Sequence, residues 1–322
     1  MKRTRSMSRF FPGVMAGLLL AMLPAWGMDV GGVQQVNRVR RGCGMIALHN
    51  QAQLAKAAYH HAKYLGRLRR KGHIERPGSA YYFGKSPFDR MARAGYPARV
   101  GVENISYGDR NYRHSVRTLM STIYHRLAFL DFRIDEMGSS EYGNRKGRIY
   151  VYDMAPSSVA RLCRSVGVLA GGEAYLSGVC TKGPRRISRR AFGRALAAIE
   201  RRNPPLVLYP WPGMYDVARS FVRETPDPLP GVYGAGLPIT AQFNPSTYRR
   251  VKLQSFRLFD AQGHPLKSRI LHAGNDRQHK LTPGTFILVP LARLRPKSRY
   301  RVELSAVAEG KRITKSWSFI TE

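Results

Sequence analysis

The sequence predicts an α+β chain in which a region mixing helices and strands precedes an all-β sandwich. Three observations carry this. Apolar residues recur at helical spacing in two early stretches, Leu54, Ala58, His61, Leu65 and Leu68, then Val116, Leu119, Met120, Ile123, Tyr124 and Leu127. Ile149-Tyr150-Val151-Tyr152 is β-branched and aromatic, the composition of a strand. From Leu206 onward short alternating runs separated by turn residues replace helical periodicity.

Composition bounds the class. The 322 residues are 43% hydrophobic and 10% aromatic, enough to build a core and to exclude general disorder. The 54 Lys and Arg against 20 Asp and Glu give a net charge of +34, a shortage of acids more than an excess of charge. One apolar run excludes a polytopic membrane protein. It spans Val14 to Trp26 behind Lys2, Arg3, Arg5 and Arg9, shorter than the roughly 20 residues a spanning helix needs. Small residues at Ala25 and Gly27 supply a cleavage site, so residues 1–27 are read as a signal peptide, with an uncleaved anchor as the alternative. An exported chain with no membrane span after cleavage follows, in the periplasm or outside the cell. No zinc-finger spacing, ribonucleoprotein signature or basic zipper is present to direct the charge at nucleic acid. The remaining anionic partners are lipid, anionic glycan or an envelope polymer, against the plainer reading of a solvated basic surface.

Taken in order, residues 37–71 read as helical, with Gly72 as the stop. A stretch from Pro77 to Pro97 follows, holding Tyr81, Tyr82 and Phe83, which either cap a ligand groove or pack a loop-rich region. On the second helix Thr118, Ser121, Thr122 and His125 fall opposite the apolar stripe, a small polar face suited to a cleft wall or to solvent. Residues 156–203 form a basic connector closed by Asn203-Pro204-Pro205. It holds Cys163 and Cys180, whose disulfide is the simple reading in an oxidising compartment, although with Cys43 present three pairings exist. Residues 204–322 form the sandwich. Arg299 to Leu304 and Ser316 to Phe319 alternate polar and apolar, and Val251-Lys252-Leu253 loses its phase at Ser255-Phe256, as at a bulge.

A family resemblance rests on Gly72-His73, Ser86-Pro87-Phe88-Asp89-Arg90, Ala94-Gly95-Tyr96, Val102-Glu103-Asn104-Ile105 and Ile123-Tyr124-His125-Arg126. In this order and spacing they resemble the CAP superfamily, the SCP-like secreted proteins in their bacterial form, and delimit a domain over residues 28–155. The resemblance implies an α-β-α sandwich whose central cleft is lined by His73, Glu103 and His125. The family's cleft holds two His and two acids; the position that often carries the second acid is Thr122 here, or Ser121 in the shifted alignment. Asp216-Val217, Leu294-Arg295-Pro296 before Tyr300, and Trp317-Ser318-Phe319-Ile320-Thr321 resemble bacterial Ig-like domains.

The chemistry these residues allow is limited. Glu103, near two imidazoles, either stays ionised by pairing or works as a general base raised by desolvation; the plainer reading is a carboxylate that fixes its loop through backbone amides. His73 and His125 are a pair that can hold a divalent metal such as zinc, without a His-Glu-x-x-His run to support it. His61, inside an apolar stripe, reads as a core histidine. No Gly-x-Ser-x-Gly elbow supports a Ser nucleophile. The missing second acid favours an exported binding protein with a His/Glu-lined cleft. The rivals are a metal- or Glu-dependent hydrolase built on Glu103, His73 and His125, and a surface-interaction protein acting through the Ig-like part.

Overall fold

Both faces of one strand are apolar, and that dictates layers on either side of it. In β4 (Ile149–Ala155) every residue is buried. Ile149 and Val151 pack with Ala58 and Leu65, whereas Tyr150, Tyr152 and Met154 join Val36, Val116 and Leu119. Alternate side chains of a strand leave on opposite faces, so one strand serves two helical layers. The computed structural model describes residues 30–143, 147–165, 174–182 and 186–322; the segment read as a signal peptide, 1–27, lies outside the described residues.

The first half runs α1 (Gly31–Gly42), β1 (His49–Asn50), α2 (Ala52–Leu68), α3 (Pro87–Arg93), β2 (Val102–Tyr107), α4 (Tyr112–Met120), α5 (Tyr124–Phe129), β3 (Glu136–Tyr142) and β4. Its sheet has the order β1-β3-β4-β2, antiparallel except for the β1–β3 pair. Helix α2 covers one face and α1 with α4 the other, an α-β-α sandwich. Helix α3 starts where Ser86 and Asp89 cap each other's backbone across Pro87.

Two helical expectations change. Residues 37–71 are not one helix. Helix α1 stops at Gly42, Gly44 takes a left-handed φ of 74°, and α2 restarts behind Gln51, whose side chain accepts the Gln53 N–H. Helix α2 ends at Leu68 on a left-handed Arg69 rather than at Gly72. The stripe from Val116 to Leu127 is likewise two helices. Ser121 Oγ donates to the Arg117 carbonyl and Thr122 Oγ1 to that of Leu119, hydroxyl back-bonds that close α4.

The connector contains α6 (Ser157–Arg164), the hairpin β5 (Tyr175–Ser177) and β6 (Arg186–Ser188), and α7 (Arg189–Glu200). Cys163 and Cys180 are disulfide-bonded, and Cys43 is buried with its thiol pushed up to about 12 by desolvation. Asn203 and Asn244 tie the connector's end down: Asn203 Nδ2 donates to the Phe132 carbonyl at 3.1 Å and Asn244 Nδ2 to that of Glu200 at 2.7 Å.

The second half holds β7 (Leu206–Tyr209), β8 (Ile239–Phe243), β9 (Val251–Phe259), β10 (Ser268–His272), β11 (Thr285–Pro290), β12 (Arg299–Ala308) and β13 (Lys311–Ile320). The sheets β7-β8-β11-β10 and β9-β12-β13 reproduce the A-B-E-D and C-F-G order of a constant-type immunoglobulin sandwich. Tyr300, at the start of the sixth strand, accepts the Arg295 N–H at 2.8 Å, the tyrosine corner of that fold. The expected bulge is present: Ser255 pairs with Ser305 and Leu253 with Ala306, leaving Gln254 as the extra residue. One hydrophobic cluster runs from Val33 and Met120 through Val207 to Leu258 and Phe319, so both halves share a core.

Candidate functional site

Strand alternation places Glu103 of β2 on the α2 face, where it meets His61, and Asn104 on the other face, where its Nδ2 donates to the His125 carbonyl at 2.8 Å. Glu103 is buried with both oxygens engaged. Oε1 accepts from His73 Nδ1 at 2.8 Å and Oε2 from Arg90 Nη2 at 2.7 Å. Burial opposes its ionisation, but the Arg90 guanidinium, His61 and the His73 hydrogen bond overcome it and hold the carboxyl at about 2. His61 Nδ1 stands 2.8 Å from Glu75 and its Nε2 3.1 Å from the Gly72 carbonyl. Glu75 also accepts the N–H groups of Phe83 and Gly84. Arg90 is fully buried among these groups, 2.7 Å from Glu103 and 3.8 Å from Glu75. Asp153, the cross-strand neighbour of Glu103, is fully buried; burial and then the Glu103 charge raise it well above the usual carboxylate range.

The second imidazole is held from the other half of the chain. His125 Nδ1 donates to Glu224 Oε2 at 2.7 Å. Glu224 also accepts the backbone N–H groups of Ile123 at 2.6 Å, Tyr124 at 2.9 Å and His125 at 3.2 Å, which caps α5. His73 and His125 thus have the same construction. A buried carboxylate fixes Nδ1–H, which leaves Nε2 of the neutral ring as the nitrogen with a lone pair. Their side chains are 44% and 19% exposed, against 1% for each carboxylate, so the rings face outward and the acids stand behind them.

The rings open on a cavity of about 730 Å³ between the two halves. His73, Glu103, Tyr124 and His125 line it on one side; Pro226, Gln242, Phe243, Tyr248 and Lys280 line it on the other. Ser121 and Thr122 do not line it, which corrects the expectation of a small polar wall. Both are buried and use their hydroxyls on α4 carbonyls, although Thr122 Oγ1 also lies 3.4 Å from His125 Nδ1. The carboxylate beside His125 comes instead from Glu224. Phe83 packs face to face with the His60 ring at 3.8 Å, and neither Tyr81 nor Phe83 reaches the cavity.

No three His, Cys, Asp or Glu side chains among the described residues are grouped to hold a metal ion. Each Glu103 oxygen already accepts one hydrogen bond, from His73 or from Arg90. A metal would rest on Nε2 of His73 and His125 alone. Sequence reasoning missed Glu75, Arg90, Asp153 and Glu224. In a chain with 20 acids, His73-Ile74-Glu75 was a visible signal. Glu224 had none, because it meets His125 across 99 residues of chain.

Residues 33–153 match the model of the CAP family, the cysteine-rich secretory protein family. No curated protein matches the chain. Two of the similar solved structures are each 19% identical with a TM-score of 0.33. One is an outer surface protein of Borrelia burgdorferi, where the match covers 38% of this chain and 86% of that one. The other is an extracellular protein containing an SCP domain from Bacillus anthracis str. Ames, with 39% and 40% covered. No helix among the described residues is long and apolar enough to cross a membrane. The α-β-α sandwich, its His and Glu side chains and the family match over residues 33–153 agree: this part of the chain is a CAP domain of the cysteine-rich secretory protein family.

Proposed function

We propose that the protein is exported and binds a small ligand in the cavity between its CAP and Ig-like halves, without turning it over. The observation that supports this is the pair of outward-facing imidazoles, each backed by a buried carboxylate, at the mouth of a cavity of about 730 Å³. Such backing fixes the tautomer and orients the ring toward whatever occupies the cavity. Glu103 is a poor general base: a carboxyl held at about 2 with both oxygens engaged has little affinity for a proton. That argues against the Glu-dependent hydrolase. The Ig-like half supplies a wall of the cavity and the carboxylate behind His125, which argues against an adhesive sandwich carrying an idle cleft. Apolar Phe243, Pro226 and Tyr248 beside Lys280 suit a ligand with an apolar body and an anionic group, as in a lipid. A divalent cation such as zinc, if bound, would be gripped by His73 and His125 and would draw an anionic oxygen to itself.

A native mass spectrum of the full secreted chain, purified without chelator, tests this. Extra mass is expected, and the His73→Ala, His125→Ala double variant should lose it while melting normally. A bare polypeptide mass, or an adduct that survives in the double variant, would overturn the cleft reading.

A further inference from the structure

We infer that α6, the β5–β6 hairpin and α7 form a second binding surface, for a linear polysaccharide carrying carboxylate groups. Residues 156–203 contain ten Lys and Arg but only two Glu. The fold sorts them. On α7, Phe192, Ala195, Leu196 and Ile199 face the core shared with α6. At about 100° per residue, Arg190, Arg194 and Arg201 fall on the opposite side within about 40° of one another, in a row about 16 Å long. All three are exposed, as is Arg164 at the end of α6, and among the described residues none of the four makes an ion pair. Glu200 is turned away, accepting from Ser246 Oγ at 2.6 Å.

The platform is rigid and carries more than charge. The Cys163–Cys180 disulfide pins α6 to the stretch after β5, Ser158 Oγ donates to the Ala195 carbonyl at 2.7 Å, and Ile187 of the hairpin is buried in the same core. Tyr175 is 44% exposed, with the Arg186 guanidinium 4.3 Å from its ring centroid. An aromatic ring beside the Arg186 guanidinium offers stacking on a sugar ring next to a fork-shaped donor for its carboxylate. The row along the α7 face holds three arginines and no acid. The match to a secretory family favours a glycan over nucleic acid as the polyanion.

Binding of the full chain to polygalacturonate is the test, with neutral dextran and a DNA duplex as comparison probes. Polygalacturonate should bind, dextran should not, and raising salt from about 0.05 to 0.2 M should weaken binding at least tenfold. The Arg190→Glu, Arg194→Glu, Arg201→Glu variant should lose at least about tenfold in affinity. Lys267→Glu, Arg269→Glu, Arg312→Glu makes the same charge change at exposed sites on the Ig-like half and should stay within about threefold. The His73→Ala, His125→Ala variant should bind normally, so this outcome is separate from that of the cleft. Equal losses in the two charge variants, or a DNA duplex bound as tightly as polygalacturonate, would sink the assignment.

Discussion

Glu103 and Asp153 sit opposite each other on β2 and β4. Burial penalises both as anions. Arg90, His61 and His73 rescue Glu103, and its charge then keeps Asp153 protonated. The two contribute to stability at opposite ends of the pH range. Glu103, held at about 2 against an ordinary 4.5, stabilises the fold above pH 4.5 and loses that contribution as pH falls from there toward 2. Asp153, raised from 3.8, contributes most below pH 3.8 and loses this as pH climbs toward its folded value. Asp153→Asn keeps the neutral shape and removes the penalty. The variant should be more stable than the parent at pH 8, with the gap shrinking toward pH 4, as read from urea midpoints at both pH values. A pH-independent gap would show that Asp153 is not the titrating group. At this scale the sequence was half legible: the acids are scarce enough to invite attention, but which of them face each other is decided by sheet register.

Helix α2 lies against β3 with backbone on backbone. A Cβ on Gly138 would stand 1.9 Å from the Ala55 nitrogen, which leaves no room for even a methyl group. Gly138→Ala should therefore destabilise the protein by at least about 3 kcal/mol, because neither helix nor strand can yield without breaking its own hydrogen bonds. Chemical denaturation measures it, and a loss below about 1 kcal/mol would mean the layers can separate. Elements whose order comes from local pattern were readable: the β-branched run of β4, the alternation of β12, and the phase slip of β9 that became a bulge. Helix breaks were not. Apolar spacing continues from Val116 to Leu127 through the interruption, while hydroxyls at Ser121 and Thr122 and a carboxylate from Glu224 end one helix and start another. Periodicity records which face is buried and is silent on where the backbone is capped.

The two halves of the molecule are not beads on a string. Arg126, fully buried at the end of the Ile123-Tyr124-His125-Arg126 motif, donates to Thr240 Oγ1 at 2.9 Å, and its guanidinium lies 4.5 Å from the Tyr209 ring centroid. A family motif of one half thus finds its partners in the other. Burial lowers this guanidinium to about 10, so separating the halves would expose apolar surface and remove the acceptors of a buried cation. A chain ending at Asn203 should keep helical circular dichroism but unfold without a cooperative transition, and its Ile123, Tyr124 and His125 amides should exchange rapidly for want of Glu224. A cooperative transition with protected amides would contradict the shared core. The sequence could place a boundary near residue 204 from the change to alternation, yet had no means of showing that Glu224 reaches back across it. That reach also sets a clock. In a chain that emerges N-terminus first, the cavity is incomplete until residues from Glu224 through Thr285 have arrived and folded. On the proposed reading of the cavity, a nascent chain would have no complete site to offer a ligand until the Ig-like strands close.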